Sequence, residues 1–170
     1  MMLQTTFALA KKYNACTESY KRMAKALGGV KKYGKDTPFT LLLVLDVLGF
    51  NDALWALQCV LPEQEKERDR IARLFACDCV EMVIHIFEDK YPDDKRPRAA
   101  IEVARRYTNG SATDKELSAA RADSEFVARA AKAAAMTVAE SADWFDIWSD
   151  IWSDIKHKHI IILRKYLKGE

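Results

Sequence analysis

Glycine and proline are scarce in this chain, six and four in 170 residues, and most of them stand where a helix would begin or end. No stretch alternates apolar and polar residues between turn signals, so a sheet is not expected. The four cysteines, Cys16, Cys59, Cys77 and Cys79, follow no disulfide framework, which reads as free thiols in a reduced, cytoplasmic protein. Long apolar runs are missing too. The run from Phe39 to Phe50 is too short to span a membrane and Asp46 interrupts it. The opening MMLQTTFALAKKY is too short and too polar for a secretory segment, so no membrane association is expected. Nor does one sign of charge dominate: a formal net charge of +2 gives no global reason to expect a nucleic acid or a membrane as partner. There is no glycine-rich phosphate loop, no HExxH and no GxSxG, so an enzyme is not the expected reading.

What is present is apolar and charged material in ordinary globular proportion, 49% and 31%, enough to build a real core. The pattern predicts an all-α fold: a single compact domain over residues 1–170, of about six or seven helices, in subregions 1–61, 62–92, 93–110 and 113–168. Leu3 to Tyr13 reads as a first helix. Thr17 can cap a second, which Gly28-Gly29 stops. Thr37-Pro38 opens a third with the apolar body LLLVLDVL, for which a buried strand is the alternative, and Gly49 ends it. Asn51 can cap Asp52 to Leu61. Pro62 opens a long helix, Glu63 to Tyr91. Its first half is solvated and carries pairs such as Glu65–Arg68 and Asp69–Arg73, and its half from Ile71 to Phe87 is apolar enough to be central. Thr113 and Glu116 form a capping box at the head of an alanine-rich helix running to about Ala142, also placed at the centre. The block Asp143 to Lys168 is helical by pattern.

The best-delimited stretch is DDKRPRAAIEVARRYTNG, Asp93 to Gly110. Asp93 and Asp94 can cap a helix starting near Lys95, Pro97 suits its first turn, and Asn109-Gly110 can close it in a left-handed cap. Pro97, Ala100, Ile101, Ala104 and Tyr107 form an apolar stripe; Arg98, Glu102, Arg105 and Asn109 lie opposite. The polar face is either partly buried, with Arg98 joined to Glu102 across one turn, or exposed for a partner.

Three further groupings invite chemistry. Cys77, Glu81 and His85 would share one face of a continuous helix, a geometry in which a metal site is conceivable; a buried thiol and a hydrogen-bonded histidine are the plainer reading, and no metal is expected. Basic islands at Lys31 to Lys35, Lys95 to Arg98, Arg105-Arg106 and Lys156 to Lys168 are interleaved with aromatics, which can suit nucleic acid; solvated helix ends are the plainer reading, and nucleic acid is not the expected partner. The repeat DIWS-DIWS places Asp146, Asp150 and Asp154 on one helical stripe, Trp144, Trp148 and Trp152 on a second, and Ile147, Ile151 and Ile155 on a third, because four residues advance a helix by only about 40° beyond one turn. The tryptophans pack on the alanine-rich helix or form an acidic-rimmed interaction surface.

The segments ACTESYKRMAKALGG, NDALWALQCV and RLFACDC, and above all DDKRPRAAIEVARRYTNGSATDKELSAARA, resemble the small all-helical immunity protein family of bacteria, phages and prophages. The strongest block runs from Arg73 to about Ala131, and the DIWS repeat is individual to this chain. The resemblance implies a non-enzymatic protein that binds and neutralises a partner protein, a toxin or a host defence effector such as a nuclease, with no cofactor and no catalytic residues. A phage anti-defence inhibitor, including an anti-CRISPR, is the close variant, and a homodimer is a further expectation. The partner-binding candidates are Arg98, Glu102, Arg105, Trp144, Asp146, Trp148, Asp150, Trp152 and Asp154. A nucleic-acid-binding helical protein and, less readily, a metal-dependent enzyme are the alternatives.

Overall fold

The computed structural model describes residues 2–82, 84–120, 122 and 145–170, with the side chains of residue 86 and of residues 145–155 outside the description. It is all-α apart from one two-residue strand pair, and it divides into two compact units: Met1–Ala72 with Leu163–Glu170, and Arg73–Ile162.

The first unit opens with β1, Gln4–Thr5, antiparallel to β2, Phe39–Thr40, with Gln4 opposite Thr40 and Thr5 opposite Phe39. This corrects the expectation of a helix from Leu3, and of no sheet. Two residues are too few for a period-two signal. Each strand runs straight into a helix through a threonine cap. Thr6 Oγ1 accepts from Leu9 N–H at 3.1 Å at the start of α1, Phe7–Lys12. Thr40 Oγ1 accepts from Leu43 N–H at 3.1 Å at the start of α4, Leu41–Leu48. Thr40 thus replaces the expected Thr37 cap, whose hydroxyl instead donates to Tyr33 C=O at 2.9 Å. The free edge of β1 is satisfied by buried Gln64: its Oε1 accepts from Gln4 N–H at 2.7 Å and its Nε2 donates to Met2 C=O at 3.1 Å.

Between the strands lie α2, Thr17–Ala26, and the single turn α3, Val30–Tyr33. Gly49, at φ 98°, ends α4 and begins α5, Phe50–Ala56, so the corner is made by glycine rather than by an Asn51 cap. Leu3, Phe7, Leu41, Val44, Leu45, Ala53, Ala56 and Cys59 are buried here, as are Leu163 and Leu167 at the chain's end. Arg164 ties that end to α4 through Asp46 at 2.6 Å.

The helix expected from Glu63 to Tyr91 is two helices. After a 3-10 turn, Pro62–Gln64, α6 spans Glu65–Glu81 and α7 spans Ile84–Lys90. Neither glycine nor proline marks the interruption. At its exposed start α6 pairs Arg68 with Asp69 at 2.6 Å and Arg70 with Glu67 at 3.1 Å, in place of the expected Glu65–Arg68 and Asp69–Arg73.

In the second unit α8, Arg96–Thr108, packs Ile101 with Cys77 and Ile84 in one buried cluster, Ala104 against it. The residues 114–120 are helical (α9) and begin with the predicted capping box: Glu116 N–H donates to Thr113 Oγ1 at 3.2 Å, and Thr113 N–H to Glu116 Oε2 at 2.7 Å. The last helix, α10, is Phe145–Lys168, as the pattern of the final block requires. The rest of the expected alanine-rich helix, to Ala142, lies outside the described residues apart from residue 122.

Candidate functional site

The candidate face is built on α8, whose two ends are set by its own sequence. At the start, Asp94 Oδ1 accepts from Arg96 N–H at 3.1 Å and the Arg96 guanidinium closes on the same carboxylate at 2.9 and 2.6 Å. The Arg96 side chain, then its backbone N–H, holds the Asp94 carboxyl down to about 2. At the other end Gly110, φ 74°, follows Asn109; Ser111 N–H reaches Arg106 C=O at 2.7 Å and Gly110 N–H reaches Tyr107 C=O at 3.0 Å. That pair of bonds is a Schellman cap.

The polar face of α8 does not close on itself. The expected Arg98–Glu102 pair is absent: Arg98 turns to α7 and grips Glu88 with two bonds of 2.6 Å. Arg105 turns to α6, donating to Glu81 at 3.3 and 2.7 Å and to Asp78 at 2.5 Å. An exposed pair within one helix gains only about 0.2–0.5 kcal/mol. A two-pronged guanidinium contact to a neighbouring helix is stronger per bond and also fixes the packing. Arg105 is raised above its ordinary value, first by the hydrogen bonds to Glu81 and then by Asp78, and Glu88 is lowered chiefly by the bonds from Arg98.

The arginines and their carboxylates follow one rule. Arg98 and Arg105 are seven residues apart, and so are their partners Glu88 and Glu81, taken in reverse order. That is the register of two antiparallel helical segments facing each other, and it holds across the interruption between α6 and α7. Asp78, Glu81 and Glu88 were not singled out from the sequence, yet this matched spacing was present in it. The same helix also holds α9: Arg106 bonds Glu116 at 2.6 Å and Tyr107 Oη donates to Asp114 at 2.6 Å. Arg73 lies over the Tyr107 ring, 4.8 Å from its centroid.

Glu102 is the exception. It is exposed and joins no ion pair among the described residues, while its negative charge contributes to raising Arg98. It sits between Arg98 and Arg105, both already neutralised, so the face carries an uncompensated carboxylate at its middle.

The Cys77–Glu81–His85 grouping does not assemble. It required a continuous helix, and α6 ends at Glu81. Cys77 is buried, with Sγ 4.0 Å from Ile101 C=O, Glu81 is committed to Arg105, and His85 is exposed on α7. Burial pushes the Cys77 thiol up and drives Cys79 to about 11. Among the described residues no group of three or more histidine, cysteine or acidic side chains is placed to hold a metal.

Trp144 lies outside the described residues. Asp146, Trp148, Asp150, Trp152 and Asp154, with Ile147, Ile151 and Ile155, belong to the helical backbone of α10, and their side chains lie outside the description. Arg98, Glu102 and Arg105 are therefore the site candidates whose surroundings are described.

The fold and this face define a helical protein whose signature stretch clamps neighbouring helices through arginine and leaves a carboxylate for the outside. Residues 61–143 match the family model of the Imm-5 like putative immunity protein, the kind of family that the sequence resembles. No curated protein and no solved structure matches the chain.

Proposed function

We propose that this protein binds and neutralises a protein partner stoichiometrically, without catalysis, and that the face centred on Glu102 contributes to the contact. The observation that carries the reading is the family match over residues 61–143, which contains all of α8 and its partners on α6 and α7. Within that stretch the arginines serve the fold, so a partner is met by what they leave over. Glu102, the exposed carboxylate of this face that joins no ion pair among the described residues, favours a basic partner, as a toxin or defence nuclease with a cationic substrate groove would be. The helical spacing of Trp144, Trp148 and Trp152 and of Asp146, Asp150 and Asp154 suits an acidic-rimmed surface of the same preference. A bacterial toxin and a host defence effector present the same chemistry here, so immunity and anti-defence roles differ in the source of the partner.

The test is co-expression with the product of the neighbouring gene. Growth arrest by that product, relieved by this protein with a one-to-one complex on size-exclusion chromatography, is the expected result. Glu102→Arg should weaken the complex while helicity stays unchanged. A neighbouring product that arrests growth, is not relieved and forms no complex overturns the assignment of that partner; relief without a complex overturns stoichiometric neutralisation.

A further inference from the structure

The near-neutral net charge conceals an uneven distribution. Met1–Ala72 with Leu163–Glu170 carries 14 lysines and arginines against nine acidic residues, whereas Arg73–Ile162 carries 13 against 16. The excess in the first unit is concentrated in residues 1–47, where eight basic residues meet three acidic ones.

The two units also use their cations differently. The arginines of α8 are locked onto carboxylates. In the first unit Lys11, Lys12, Lys25, Lys31 and Lys32 are exposed and form no ion pair among the described residues; Lys21 is paired with Glu18, and Lys35 approaches Asp36 only to 4.0 Å. Helix C-termini explain why lysine is welcome at the ends of α1, α2 and α3. They do not explain why the counter-charges are missing.

These helices surround one aromatic pin. The Phe7 ring meets Tyr20 of α2 at 5.2 Å, Tyr33 of α3 at 6.1 Å and Phe39 of β2 at 5.0 Å between centroids. Ala8 N–H donates to Lys35 C=O at 2.9 Å, holding the start of α1 against the loop after α3. The helices and the loop that carry the unpaired lysines are therefore held together around the Phe7 ring. At the end of α1, Tyr13 is 39% exposed, with the Lys12 ammonium 5.7 Å from its ring centre.

We propose that the unpaired lysines on these packed helices of the first unit bind single-stranded nucleic acid, their ammonium groups on its phosphates and Tyr13 as a stacking platform for a base. Unpaired lysines act as point charges that release counterions from a phosphate backbone, and base stacking is indifferent to sequence. An acidic protein would need an apolar anchor as well, and among the described residues the large exposed hydrophobics of this unit are Met2 and Tyr13. The face lies outside residues 61–143, so it stands or falls separately from the reading above.

The test uses the full chain and a fluorescein-labelled oligothymidylate, read by anisotropy. Five phosphate contacts give a salt slope of roughly −3.5 for a single strand, so affinity should fall about 100-fold between 50 and 200 mM salt. Lys31→Glu with Lys32→Glu should reduce affinity at least about tenfold and flatten the slope, with an unchanged circular dichroism spectrum. Tyr13→Ala should lower affinity by about tenfold with the slope unchanged. No binding at 50 mM salt, an unaffected double variant, or displacement by polyglutamate as effective as by unlabelled oligonucleotide overturns the proposal. Equal affinity for a duplex of the same length, together with a silent Tyr13→Ala, overturns the stacking and the single-strand preference.

Discussion

Arg105 and Glu102 are three residues apart on one helix face and do opposite work. Arg105 joins α8 to α6 through two carboxylates, and its side chain is 32% exposed, so solvent screens the pair only in part. Arg105→Ala should cost about 1–2 kcal/mol of stability in urea titration, since it removes the guanidinium that bonds both Asp78 and Glu81. Arg105→Lys should recover little of it, because an ammonium cannot grip both carboxylates in a fork. Glu102→Ala should leave the urea midpoint unchanged, and a shift as large as that of Arg105→Ala would make Glu102 part of the scaffold. The thiols divide in the same way. Cys16 is exposed at the N-terminus of α2, where the backbone N–H groups of Ser19 and then Glu18 lower its thiol. Cys59, Cys77 and Cys79 are all raised by burial. Native protein should therefore react quickly with one equivalent of a thiol reagent at Cys16 and with the other three only after denaturation; rapid labelling of Cys77 or Cys79 in the native state would contradict this.

At the scale of elements, α9 depends on its first turn. The backbone N–H of Thr113, then its hydroxyl and Arg106, hold the Glu116 carboxyl at about 2, below its ordinary 4.5. A carboxyl depressed in the folded state contributes stability above its unfolded value and loses it as pH falls through the folded one. The melting temperature should therefore fall between about pH 4.5 and 2 in a way that Glu116→Gln removes, the variant starting lower at neutral pH and falling less. A variant with the parent's slope would show that the capping box carries no pH-dependent stability. Two helix ends follow from such local chemistry, the Thr113–Glu116 box and the Gly110 cap, which are where the sequence puts them. The start of α1 has a tertiary cause. Leu3 to Thr5 leaves the helical pattern because Phe39 and Thr40 lie beside it and Gln64 closes its other edge. The strands are too short for their pairing to show in periodicity.

At the scale of the molecule, each unit has buried residues of its own, among them Leu41, Val44 and Leu45 in the first and the Cys77, Ile84 and Ile101 cluster in the second. Ile101→Ala should cost about 2–4 kcal/mol. Hydrogen exchange should then accelerate over residues 73–120 more than over residues 1–60, and Leu41→Ala should reverse the pattern. Equal acceleration everywhere in both variants would mean a single cooperative unit.

The sequence by itself determined that the protein is helical, where α8 begins and ends and where α9 begins, because caps, proline and glycine act over three or four residues. It determined the apolar stripe of α8 for the same reason: helical spacing alone puts Ile101 and Ala104 on one side. Tertiary structure decided what the charges do. The spacing of seven in Glu81–Glu88 and Arg98–Arg105 was legible, but nothing local says that the helices bearing them lie antiparallel, and a guanidinium can as easily bond its own helix. Only the packing of α8 against α6 and α7 brings the matched pairs into register, spends Arg98 and Arg105 on the scaffold, and leaves Glu102 uncompensated.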